Sequence, residues 1–167
     1  MPFQPIRLLL IFFFSCFLCC GCRDDSRPDD LPQLHPCQIV FSQEGKPLVG
    51  AIVFLHPTDP ASRWTSGGTT DEQGIVTLMT HARFSGVPLG EYKVTVSKSE
   101  QFQEILPQVV PGGDGTEMTP GSPLQRFLLV EKEYSDATAT PLSIKIEKKK
   151  NRMEFDLGKA IREKIPD

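Results

Sequence analysis

After Pro36, apolar and polar residues alternate with a period of two, the spacing of strands that bury one face. Cys37, Ile39 and Phe41 fall on one side and Gln38 and Ser42 on the other, with Val40 the exception. Gly50–His56 is nearly continuous in apolar residues, the pattern of a strand covered on both faces. Ile75–Thr80 follows a turn at Thr70–Gly74. Pro88-Leu89-Gly90 opens the cleanest alternation, with Tyr92, Val94 and Val96 against Lys93, Thr95 and Ser97. Arg126–Val130 reads as a short edge strand. Leu142, Ile144 and Ile146 form one further row and Met153, Phe155 and Leu157 another, which makes Lys148–Arg152 the tip of a terminal hairpin. Residues 99–123 are polar and rich in Pro and Gly, and read as one long loop. Residues 158–167 read as a short helical tail. The pattern predicts an all-β chain, a single Greek-key β-sandwich of about seven strands.

A different pattern precedes it. Met1–Arg7 carries one positive charge, and Leu8–Leu18 is an almost unbroken apolar run. Cys19-Cys20-Gly21-Cys22 follows, and then Arg23-Asp24-Asp25. A charged start, a short apolar core and a small-residue exit make a secretory signal, and the run is short for a membrane span. The exit resembles a bacterial lipobox, in which the thiol after a small residue is lipidated. Gly21 places that thiol at Cys22. Cys19 stands where that pattern usually has Leu, which leaves Cys20 as an alternative acceptor and plain secretion as an alternative fate. Two acyl chains give stable anchoring where one gives marginal binding. A diacylated Cys22 would hold the rest of the chain on a membrane outside the cytoplasm. The expected organisation is a signal over 1–21, a flexible tether over 22–35, a sandwich domain over 36–157 and a tail over 158–167.

Charge and cysteine content narrow the picture. The chain has 167 residues and a formal charge of −3. Losing the signal removes Arg7, leaving −4. That mild acidity argues against a nucleic-acid partner, which calls for a basic face. Four of the five Cys lie at or before position 22, so Cys37 is the one thiol of the mature domain and no intrachain disulfide framework is available. Its place in an alternating row makes it a small buried hydrophobe, with an intermolecular disulfide as the minor reading. The four Asp of the tether lack the spacing, Gly and terminal Glu of a calcium loop.

Gly45-Lys46-Pro47-Leu48-Val49-Gly50-Ala51, Thr69-Thr70-Asp71-Glu72-Gln73-Gly74 and Gly90-Glu91-Tyr92-Lys93-Val94-Thr95-Val96, in this order and spacing, resemble the carboxypeptidase-regulatory-like family. Lys132-Glu133-Tyr134-Ser135, Thr140-Pro141-Leu142 and Phe155-Asp156-Leu157 extend the likeness. The resemblance implies a transthyretin-like β-sandwich, common in envelope lipoproteins. It implies no peptidase activity, since function resides in sites rather than folds.

Little in the chain points to catalysis. His35, His56 and His81 are far apart and no HExxH is present. Ser66 and Ser85 lack the frame of a nucleophile. The chain ends in Lys164-Ile165-Pro166-Asp167, without the Tyr-Arg-Gly-Ser ending of transthyretin-like hydrolases. Asn151, the one Asn, falls in the hairpin tip, where a buried Lys–Asn crosslink is not expected. No cofactor or metal is implied. Two features suit binding. Trp64 with Arg63 lies in the loop over 58–68, as a ligand contact or as an aromatic folded back on the sheet. Lys148, Lys149, Lys150 and Arg152 form a basic cluster for an anionic surface, or else a solvated turn that discourages aggregation. The expected role is that of a non-enzymatic envelope lipoprotein, structural or adhesive, with an envelope protein or polysaccharide as partner. The alternative is a carbohydrate- or small-ligand-binding module of an uptake or degradation system, with Trp64 as its contact.

Overall fold

The computed structural model describes residues 27–109, 116–121 and 123–166. The signal segment, Cys20 and Cys22 lie outside the described residues. The chain divides into 1–31 and 32–167. Within the first unit, the Leu31 N–H donates to the Pro28 carbonyl at 3.0 Å and closes a turn.

The second unit is built of short strands. They are β1 (Leu34–His35), β2 (Cys37–Gln43), β3 (Lys46–Pro47), β4 (Ile52–Pro57), β5 (Ser66–Thr69) and β6 (Ile75–Thr77). Next come β7 (Met79–Thr80), β8 (Phe84–Ser85), β9 (Val87–Pro88), β10 (Gly90–Ser97), β11 (Ser99–Phe102) and β12 (Ile105–Val109). The chain closes with β13 (Thr116–Pro120), β14 (Gln125–Leu128), β15 (Ser143–Ile146), β16 (Asn151–Asp156) and β17 (Glu163–Lys164). The one helix among the described residues, α1, covers Lys132–Ser135. The fold is all-β.

Two sheets carry the core. The larger has the order β15-β10-β4-β5-β7-β8. The smaller pairs β16, β3 and β6 with β2. Val53 opposes Val96 and Leu55 opposes Val94 in the larger sheet. Cys37, Ile39 and Phe41 line the buried side of β2. These residues join Val76, Leu78, Tyr92, Ile144 and Ile146 in one apolar cluster. Each such aliphatic side chain contributes about 1.5–3 kcal/mol by leaving water. Phe155 stacks on Phe41 with centroids 5.8 Å apart.

The turn motifs sit as their sequences suggest. Asp71 Oδ1 accepts from the Gln73 and Ile75 N–H groups, each at 2.9 Å. Gly74 has φ +73°, and a Cβ there would collide with the Phe41 carbonyl. Buried threonines act as pegs: Thr70 donates to the Leu48 carbonyl at 2.5 Å and Thr140 to the Val94 carbonyl at 2.7 Å.

Several expectations are corrected. The segment 142–157 is not a hairpin: β15 pairs antiparallel with β10, whereas β16 runs parallel to β2 in the other sheet. Asn151 is therefore no exposed tip. It is buried where the chain crosses between sheets, and its amide binds the backbone of Glu147 and Lys149. Its nitrogen is thereby engaged with carbonyls. Residues 99–123, expected as one loop, contain β11, β12 and β13, with β12 and β13 paired as their own ribbon. The tail forms β17 on β14 rather than a helix. The tether ends earlier than 35, because β1 pairs with β9 and His35 is buried. The strands exceed a seven-strand count because three small ribbons and sheets accompany the two main ones. Finally, β4 is covered on one face only. Ile52 and Phe54 are 47% and 51% exposed.

Candidate functional site

The open face of β4 organises the candidate site. Strand alternation turns Val53 and Leu55 inward, so Ile52 and Phe54 point outward. On one side, β10 places Ser97 opposite Ile52 and Thr95 opposite Phe54. On the other, β5 places Thr69 opposite Ile52 and Gly67 opposite Phe54. Gly67 leaves a gap in the outer row, and Phe54 fills it. A Cβ on Gly67 would stand 2.7 Å from Phe54 Cδ1 and 2.6 Å from the Val53 carbonyl oxygen. The ring thus lies across the glycine, with its other side toward solvent.

The far wall is the turn between β7 and β8. His81 and Ala82 have φ values of 51° and 54°, and the Arg83 N–H donates to the Thr80 carbonyl at 3.2 Å. Two successive positive φ values make a type I′ turn, which favours Asn-Gly. Here His and Ala hold it, at about 1–2 kcal/mol of strain per residue. Neighbouring bonds fix the conformation. The His81 N–H donates to the Thr65 carbonyl at 2.9 Å, and Thr80 Oγ1 donates to the Gly86 carbonyl at 2.7 Å. Ile52, Phe54, Thr65, Gly67, His81 and Ala82 line a groove of about 370 Å³.

Trp64 lies next to His81, outside the groove's lining. Its ring is half-buried, 5.0 Å from the His81 ring at a 43° tilt. The Arg63 guanidinium lies 5.3 Å from the Trp64 centroid. Trp64 thus packs against the turn while remaining half-buried. The structure brings Trp64, with Arg63 over its ring, against His81, while the groove that His81 lines with Phe54 and Ile52 was missed by sequence reasoning. The one available signal was the Gly67-Gly68 pair, which strips side chains from a strand beside an apolar one.

The basic cluster is elsewhere, at the crossover into β16. Lys148, Lys149, Lys150 and Arg152 are exposed. Lys149 pairs with Glu147 at 2.5 Å and Arg152 with Glu154 at 3.7 Å. Lys149 also holds the Glu147 carboxyl below its ordinary range.

The groups considered for chemistry are dispersed. Cys37 is 2% exposed, and desolvation raises its thiol to about 12. A thiol so protected keeps its proton at neutral pH. His35 lies buried in β1, His56 Nε2 is 2.9 Å from Thr95 Oγ1, and His81 lies beside Trp64. Among the described residues, no group of three or more His, Cys, Asp or Glu is placed to hold a metal ion. No helix among them is long and apolar enough to cross a membrane.

No family model and no curated protein matches the chain. Among solved structures it is similar to a candidate adhesin from Bacteroides ovatus, at 17% identity and a TM-score of 0.37, over 79% of this chain and 45% of that one. It is also similar to a 9R-lipoxygenase from Cyanothece, at 16% identity and a TM-score of 0.28, over 76% of this chain and 16% of that one. The chain thus spans less than half of either protein.

Proposed function

We propose that this protein is a non-enzymatic envelope lipoprotein, anchored through a diacylated Cys22. It presents one interaction module, a Greek-key sandwich of the carboxypeptidase-regulatory-like type. The observation that carries the reading is the open face of β4, where Ile52 and Phe54 stay exposed on an inner strand of the larger sheet. A contiguous apolar patch held in water marks a surface that meets a partner. The rigid sheet beneath it and the strained turn beside it supply a preformed shape. The buried thiol and the scattered histidines support a role without catalysis. The shared core of the two main sheets supports the sandwich, and the glycine turns at Gly45 and Gly74 support the family.

A photo-crosslinking residue placed at Ile52, on cells producing the full chain, tests the module. A reproducible adduct from that position, absent when the probe replaces Glu154, is expected. Equal labelling from both positions would refute a dedicated face. The anchor is tested separately: Cys22→Ser releases the protein from membranes, and an acylated Cys22→Ser protein would overturn the assignment in favour of Cys20.

A further inference from the structure

We propose that two copies of this chain associate through β16, edge to edge and antiparallel, with Arg152 of each copy opposite Glu154 of the other. The contact is separate from the open face of β4 and stands whether or not that face meets a ligand.

The strand β16 is an open edge. It forms one margin of the smaller sheet and pairs with β2 alone among the described residues. Its six residues make it the longest outer strand of the two main sheets. It contains no Pro, and its register against β2 is unbroken. The Asn151 N–H donates to the Pro36 carbonyl and the Leu157 N–H to the Ser42 carbonyl, each at 2.9 Å. Alternate residues of a parallel ladder turn their backbone groups to the same side. Asn151, Met153 and Phe155 therefore bond β2, while Arg152 and Glu154 turn their N–H and C=O groups outward. Among the described residues, no backbone group meets them there. An edge of this kind is a template for a further strand.

The charges on that edge select a second copy and one register. Lys150, Arg152, Glu154 and Asp156 are all exposed. The row reads two positive charges and then two negative ones, so it complements itself when reversed. Centring the pair on Arg152 or Glu154 sets that residue against itself, a like-charge contact. Centring it on Asn151 sets Arg152 against Lys150, and centring it on Phe155 sets Glu154 against Asp156. Only a pair centred on Met153 opposes Arg152 to Glu154 and Lys150 to Asp156, with no like charges level. Arg152 already touches Glu154 of its own chain at 3.7 Å. Association breaks neither of these contacts: it gives each charge a second unlike neighbour. The Asp156 carboxylate accepts from the Ser42 hydroxyl at 2.9 Å and the Gly158 N–H at 2.7 Å, so its pairing with Lys150 is the lesser one. On the other face Met153 is half-buried against the core, and a second copy covers it. A twofold pair uses up both edges and closes.

The test places a cysteine at Met153 in the full chain. Centred there, the two copies bring position 153 level with itself at a Cα separation of about 4.5 Å, within disulfide reach. Mild oxidation of cells producing Met153→Cys is expected to give a covalent dimer, and Glu72→Cys, exposed in a distant turn, is not. Adding Arg152→Glu or Glu154→Arg to Met153→Cys should each lower the yield by about tenfold, because two opposed pairs become repulsive together. Any neutral residue at 154, a photo-crosslinker included, loses both Arg152 pairs and should also weaken the contact. The exchange Arg152→Glu with Glu154→Arg in one chain should restore the dimer, and so should producing the two single variants together. Without the cysteine, the parent chain should sediment as a dimer in density-matched detergent and Arg152→Glu as a monomer. A monomeric parent, or equal crosslinking from positions 153 and 72, would overturn the edge contact. Crosslinking that survives Arg152→Glu, or that the exchange does not restore, would overturn the register.

Discussion

Replacing Asn151 by Ala is expected to destabilise the fold by about 3 kcal/mol, from three hydrogen bonds at about 1 kcal/mol each. Its side chain is 3% exposed. Its Oδ1 accepts from the Glu147 N–H at 3.1 Å, and its Nδ2 donates to the Glu147 carbonyl at 3.2 Å and the Lys149 carbonyl at 2.8 Å. A longer contact of 3.4 Å reaches the Pro36 carbonyl. These bonds shape the passage from β15 in one sheet to β16 in the other. Glu147 and Lys149 are exposed, so water recovers part of the loss, while the vacated space adds to it. With a urea slope of about 2 kcal/mol per molar, the midpoint should fall by about 1.5 M. Asn151→Asp makes the sign explicit. The new carboxylate keeps the Glu147 N–H but faces two carbonyls, so its folded pKa rises above the unfolded value near 3.9. Stability would then be present below that value and lost as pH rises. Urea unfolding at acid and neutral pH reads both effects. A midpoint for Asn151→Ala within about 0.3 M of the parent would refute the crossover role.

Ala82→Gly should raise stability by about 0.5–1 kcal/mol, since relief of a left-handed alanine outweighs the glycine's extra freedom when unfolded. A lowered melting temperature would show that the turn carries no strain. Burial raises both Cys37 and Tyr92 to about 12, from 9.0 and 10.0. Their contribution is complete below those ordinary values and is lost as pH climbs toward 12. Stability should therefore decline above about pH 9, and Cys37→Ala should flatten the first part of that decline in urea melts taken across alkaline pH. An identical alkaline profile in the variant would exclude the thiol.

What the sequence reveals here is local. The row Tyr92, Val94, Val96 and the Asp71 turn follow from residues close together in the chain, and both are found in the structure as read. The alternation of Cys37, Ile39 and Phe41 likewise fixes which side of β2 is buried. Pairing across distance is another matter. Ile144 and Phe155 each sit in a correct alternating row, but alternation does not say whether two successive rows share a sheet. A basic stretch between them looks like a hairpin tip until Asn151 is seen to organise a crossing. Thr140 was equally illegible as a peg, because a threonine in a turn region reads as solvent-facing until a carbonyl such as that of Val94 is brought to it.

The candidate site was half legible for the same reason. Trp64 and Arg63 stand out by type, whereas Phe54 does not. Within Gly50–His56 every apolar residue looks equally suited to burial, and the outer face of β4 is decided by what its neighbours supply. On one side they supply Thr95 and Ser97, and on the other Gly67 and Thr69. None of these can cover a phenylalanine. An apolar strand flanked by small and polar residues leaves its outer side chains in water, at a cost in solubility that a purely structural sheet has no cause to carry. Serine or threonine at positions 52 and 54 would satisfy the same backbone pairing without that cost. Exposed Ile52 and Phe54, beside a strained turn that sets His81 against Trp64, are therefore the surface features on which the proposed interaction role rests.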